Sequence, residues 1–126
     1  MKMPPSVDDE LKRFLVASIT SVAHLEAALL FRRQPVPRTA AETSGYLYIP
    51  ERTTSEVLLA LCNAGVLTFD GASFHYRPKD QRLADLLDRL ALAYASDLIW
   101  ITNLIHDKTR RNAQRFSDAF KLRKDP

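Results

Sequence analysis

Apolar positions recur along most of this chain at helical spacing, with one short stretch where they alternate. Leu11, Phe14, Leu15 and Ile19 form a helical stripe behind Asp8, Asp9 and Glu10, acids that suit the N-terminal end of a helix dipole. Ser21 is placed to cap a second helix from Val22 to Arg33. Its expected buried side is Val22, Leu25, Leu29 and Leu30, widened by Ala27, Ala28 and Phe31. Pro35 and Pro37 exclude any continuation, so Gln34 to Arg38 reads as a connector.

The stretch from Thr39 to Gly65 predicts two short helices around a tight turn at Tyr48-Ile49-Pro50. Thr39 and Glu42 have the spacing of a capping box. Pro50 and Thr53 are suited to restart the chain as a helix, and Gly65 to stop it in a left-handed conformation. Residues 66–71 and 73–77 then alternate apolar and polar around Asp70-Gly71, the pattern of a hairpin.

Asp80 is the expected cap of a long helix over residues 81–106, about 39 Å at about 1.5 Å per residue. Leu83, Leu87, Leu90, Tyr94, Asp97, Ile101 and Leu104 advance by alternating fours and threes, a coiled-coil-like seam. Leu86, Leu98, Ile99, Trp100 and Ile105 add apolar surface on other sides, so a partner is expected to cover this helix. The expected dimer interface is Leu87, Leu90, Tyr94, Asp97, Trp100, Ile101 and Leu104. Asp97 reads as a polar pin of its register, or as a carboxyl with a raised pKa if it is buried. Asn112 to Leu122 has the pattern of one more short helix, with Phe116, Ala119 and Phe120 apolar.

The organisation is therefore a helical lead-in (1–19), a mixed unit of helices and hairpin (20–79), a long dimerisation helix (80–106) and a tail (107–126). The fold class is mainly α with a small β-hairpin. At 126 residues the chain has room for one real core. No apolar run approaches the ~18 residues of a membrane span, and a lone Cys62 allows no internal disulfide, so a cytoplasmic protein is expected.

Charge changes the picture once it is divided. The tail from Asp107 carries seven Lys/Arg against three Asp, while the first 106 residues hold 11 basic and 12 acidic side chains. The tail reads either as an anchor for an acidic partner or as a solvated end. Between Arg38 and Arg77 there are three basic residues against Glu42, Glu51, Glu56 and Asp70.

Chemistry is sparse. The three glycines (45, 65, 71) are too scattered for a phosphate-cradling loop. His24, His75, His106 and Cys62 lack metal-ligand spacing, and no nucleophile–base pair or paired carboxylates can be read from spacing. No enzyme activity, cofactor or metal is expected.

From Thr39 to Leu67 the sequence resembles winged helix-turn-helix transcriptional regulators of the bacterial MarR-like kind. The matching residues are Thr39-Ala40-Ala41-Glu42, Leu47, Ile49-Pro50, Thr53 and Ser55, Leu58 and Leu61, and Ala64-Gly65-Val66-Leu67. The resemblance implies a dimeric double-stranded DNA-binding protein whose second short helix enters the major groove. Arg52, Thr53 and Ser55 would contact DNA from that helix, with Arg38, Arg77 and the basic tail adding phosphate contacts. The other reading is a winged-helix scaffold that binds a protein partner. Leu59, Tyr46 and Tyr48 would then be contact residues unless they pack internally.

Overall fold

The computed structural model describes residues 2–107, so the basic tail and its expected short helix lie outside the described residues. The sequence builds its helices through local caps. In α1 (Asp9–Ser18), the Asp8 carboxylate accepts from the Leu11 N–H, and Asp9 and Glu10 occupy the first turn. In α2 (Val22–Arg33), the Ser21 hydroxyl accepts from the His24 N–H. Leu25, Ala27, Ala28, Leu30 and Phe31 are buried, whereas Val22 and Leu29 are only half-buried. The expected buried face was shifted because α2 packs against α3, α4, α5 and the hairpin at once, leaving it covered on several sides.

In α3 (Ala40–Leu47) the capping box is complete. The Thr39 hydroxyl accepts from the Glu42 N–H at 3.1 Å, and the Glu42 carboxylate accepts from the Thr39 N–H at 3.0 Å. Tyr48 ends the helix at φ 56, the left-handed region, which turns the chain sharply into α4 (Glu51–Asn63). Pro50 occupies the cap position of α4 and no side chain caps it. Thr53 is already inside the helix and exposed, so it does not play the capping part expected of it.

Gly65, at φ 85, closes α4 as expected: its N–H reaches the Cys62 carbonyl and the Val66 N–H reaches that of Leu61. Strands β1 (Leu67–Phe69) and β2 (Phe74–Tyr76) pair antiparallel, Leu67 opposite Tyr76 and Phe69 opposite Phe74. They are shorter than the alternation suggests. The Asp70 carboxylate accepts from the N–H groups of Ala72 and Ser73 and so holds residues 70–73 as the loop. The connector before α3 also joins the sheet, because Arg38 and Phe74 exchange backbone hydrogen bonds at 3.2 and 2.8 Å.

The long C-terminal helix is interrupted. After α5 (Gln81–Ser96), capped by Asp80, the chain breaks at Asp97 (φ −135, ψ 43), and a separate helical segment covers residues 98–107. The Asp97 N–H ends one helix on the Ala93 carbonyl, and its own carbonyl starts the next by accepting from Ile101. Its carboxylate accepts from the hydroxyls of Ser6 and Ser96. Asp and Ser side chains compete with helical hydrogen bonding in this way, which an unbroken heptad reading overlooks.

One core gathers Leu11, Leu15, Ile19, Leu25, Phe31, Leu58, Leu61, Leu87, Leu90 and Ile101, each at 1% exposure or less. Arg89 on α5 ties α1 down through Asp8 and Glu10, and Arg82 adds a second contact to Glu10 at 2.9 Å. Among the described residues, no single helix is long and apolar enough to cross a membrane.

Candidate nucleic-acid interface

Helix α4 turns Thr54, Val57, Leu58 and Leu61 into the core. That face leaves Arg52, Glu56, Leu59 and Asn63 on the opposite side, spaced by four, three and four. Thr53 is exposed beside them and Ser55 is half-buried. The Arg52 guanidinium is 94% exposed and stands 3.9 Å from the Glu56 carboxylate, so the one cation of this stripe has an acid at its side. Arg77, following β2, is exposed, and its backbone N–H bonds the Val66 carbonyl to fix it at the foot of the hairpin.

Arg38 does not join them. Only 4% exposed, it donates from Nη1 to the Gln34 carbonyl at 2.7 Å and from Nη2 to the Gln34 side-chain oxygen at 3.0 Å. Its guanidinium carbon lies 5.2 Å from the Phe31 ring centroid and 5.5 Å from that of Tyr46. The side chain expected to reach a phosphate is instead a structural clamp between α2 and α3. Nothing in the sequence around Arg38 distinguishes these roles, because the clamp depends on the Phe31 and Tyr46 rings that the fold brings beside it.

Apolar side chains are also exposed at the end of α3, on α4 and on the hairpin. Tyr48 is 92% exposed, Tyr46 58%, Phe69 48% and Leu59 46%. Tyr48 is not packed internally, whereas Tyr46 keeps its ring against the Arg38 guanidinium and Leu59 is about half covered. Phe69 stacks on Phe74 at 4.5 Å between centroids while keeping its outer side open.

At the hairpin tip, His75 Nε2 lies 2.8 Å from the Asp70 carboxylate. Asp70 is held well below the usual carboxylate range, first by the Ser73 N–H and then by His75 and the Ala72 N–H. Burial lowers the pKa of His24 and pushes the Cys62 thiol up, which disfavours a thiolate there. Among the described residues no cluster of three or more His, Cys, Asp or Glu could hold a metal ion.

The expected dimer seam faces inward. Leu87, Leu90 and Ile101 are fully buried in the chain's own core. Tyr94 donates its hydroxyl to Glu26, Asp97 sits at the helix break, and Trp100 and Leu104 pack half-buried against the core. A four–three repeat records that a helix face is covered and is indifferent to whether another chain or the same chain covers it. The apolar side chains left open nearby are Leu92 (72%), Leu98 (46%) and Ile99 (72%). Leu98 and Ile99 were visible in the sequence as surface outside the seam, and Leu92 was not singled out.

Compared with known proteins, the chain matches no family model and no curated protein.

Proposed function

We propose that this chain is a dimeric winged-helix protein that binds double-stranded DNA through α4 and acts as a transcriptional regulator. The observation that carries the reading is the display of α4. A sharp left-handed turn at Tyr48 sets it across α3, its first turns project Arg52 and Thr53 outward, and the hairpin follows directly. The Arg38–Phe74 bridge supports it further, since it adds a rudimentary third strand beside the hairpin. The order helix, short strand, helix, turn, helix, hairpin is that of a winged helix-turn-helix.

Electrostatics then shape the mode of binding. With Arg38 enclosed, Arg52 and Arg77 are the cations of this face available to phosphates among the described residues, and Glu56 offsets the first. Two phosphate contacts per protomer correspond to a log–log salt slope of about −1.8, or about −3.6 for a dimer, which is shallow. Base and shape contacts from Thr53, Ser55 and Arg52 must supply the rest. Dimerisation through Leu92, Leu98 and Ile99, around the Asp97 break, fits this reading better than a seam through Leu87 and Leu90.

The test is selection of duplexes from a random-sequence pool by the full chain, followed by binding of the enriched site. Loss of that site's affinity with Arg52→Ala and Thr53→Ala supports the reading; no enrichment above the input pool overturns it. Light scattering tests the dimer, which Ile99→Asp dissociates on this account.

The exposure of Tyr48, Leu59 and Phe69 favours a second reading, in which this face docks a protein. Binding would then be abolished by Leu59→Asp and unaffected by Arg52→Ala.

A further inference from the structure

Four carboxylates lie between Arg38 and Arg77, and three of them are explained by the fold. Glu42 closes the capping box of α3. Glu51 occupies the first turn of α4, where the helix dipole favours an acid. Asp70 accepts from the Ala72 and Ser73 N–H groups and holds the hairpin loop. Glu56 is different. It lies in the middle of α4 on the outer stripe, its side chain 71% exposed, and among the described residues it meets only the Arg52 guanidinium, at 3.9 Å. An exposed pair of that length adds little to stability.

Against a duplex this carboxylate repels phosphates, and it cancels the charge of Arg52. It is tolerated there only where it accepts from a donor. Base edges in the major groove offer two, the N4 amino group of cytosine and the N6 amino group of adenine. On adenine the donor stands beside the N7 acceptor, whose lone pair opposes a carboxylate. Cytosine presents a donor with no acceptor of its own.

We propose, resting on the DNA reading of α4, that Glu56 is a specificity-determining residue that accepts a hydrogen bond from the N4 amino group of a cytosine, so that each half-site carries a C·G pair beneath the middle of α4. Arg52, one turn nearer the start of the helix, turns to a neighbouring phosphate, and the cytosine amino group takes its place beside the carboxylate. Leu59, 46% exposed and three positions further on, brings no donor or acceptor to compete.

Selection from a random duplex pool, run in parallel with the full wild-type chain and with Glu56→Gln, is the test. The wild type is expected to enrich sites with one fixed cytosine per half-site, and replacing that C·G pair by A·T to weaken binding about fivefold or more. Glutamine matches adenine N6 and N7, so Glu56→Gln is expected to exchange cytosine for adenine at that one position and to keep the rest of the site. Glu56→Ala is expected to accept either base there. Because the side chain is exposed, the thermal midpoint should not move; if it falls for Glu56→Gln, Glu56→Ala carries the comparison. An enriched site with no cytosine that responds to Glu56, or a gain in affinity on Glu56→Gln shared equally by all duplexes, would overturn the assignment and leave the DNA reading standing. No enrichment by the wild type would overturn both.

Discussion

Replacing Arg38 by Ala separates a structural arginine from a DNA-binding one. The guanidinium makes two well-formed hydrogen bonds to Gln34, at 2.7 and 3.0 Å, and a longer one to the Val36 carbonyl at 3.4 Å. A hydrogen bond from a charged donor contributes about 1.5–3 kcal/mol. Gln34 and Val36 are exposed, so water replaces part of what is lost and the lower end applies. Stacking on Phe31 and Tyr46 adds about 0.5–1 kcal/mol. Against these stands the cost of enclosing a cation that has no carboxylate partner at ion-pair distance among the described residues. The balance predicts a loss of about 2–3 kcal/mol for Arg38→Ala and about half that for Arg38→Met, which keeps an apolar stem over Phe31. Urea unfolding at unchanged m-value measures both. A loss below about 0.5 kcal/mol for Arg38→Ala, the range of ordinary surface changes, would refute the clamp. In the same proteins, Arg38→Met should leave the salt slope of DNA binding unaltered, since its guanidinium reaches no phosphate.

Other expectations follow from single residues. Gly65→Ala places a residue at φ 85 and a Cβ 2.6 Å from the Lys79 Cδ, so a loss of about 1–2 kcal/mol is expected in denaturant melts, partly relieved by Lys79→Ala. Tyr94, pushed up to about 12 by burial and then by Glu26, contributes stability that is complete below the unfolded value of about 10 and lost as pH rises through 12. Ultraviolet titration should therefore show a late-ionising phenol that is lost in Tyr94→Phe, while Tyr76, also raised by burial, remains. For Asp70 the sign is opposite. Its depressed folded pKa adds stability above the unfolded value of about 3.9 that fades as pH falls, and Asp70→Asn should flatten the acid limb of the unfolding profile.

What could be read from the sequence was local. The Thr39–Glu42 box, the Ser21 and Asp80 caps, the stop at Gly65 and the Asp70-Gly71 loop each involve residues within a few positions of one another. Long-range partners escaped. The carboxylate of Asp97 is met by Ser6, 91 positions away, and the clamp of Arg38 needs the Phe31 and Tyr46 rings on neighbouring helices. The seam of Leu87, Leu90 and Ile101 was seen correctly as a covered face, but α1 and α2 of the same chain help to cover it. Of the five proposed DNA contacts, Arg52, Thr53 and Arg77 are displayed, Ser55 is half-buried, and Arg38 is enclosed. Sequence spacing says which residues share a helix face; it does not say which arginine a neighbouring ring will capture.

Contact between α4 and DNA is the centre of the proposed function. The deciding measurement is fluorescence anisotropy of a labelled duplex carrying the enriched site, titrated over a series of salt concentrations with the wild type and Arg52→Ala. The expected result is salt-dependent binding whose slope becomes shallower by about 1.8 when both copies of Arg52 in a dimer are removed. Binding with an unchanged slope and affinity in Arg52→Ala, or none at the lowest salt, would contradict it.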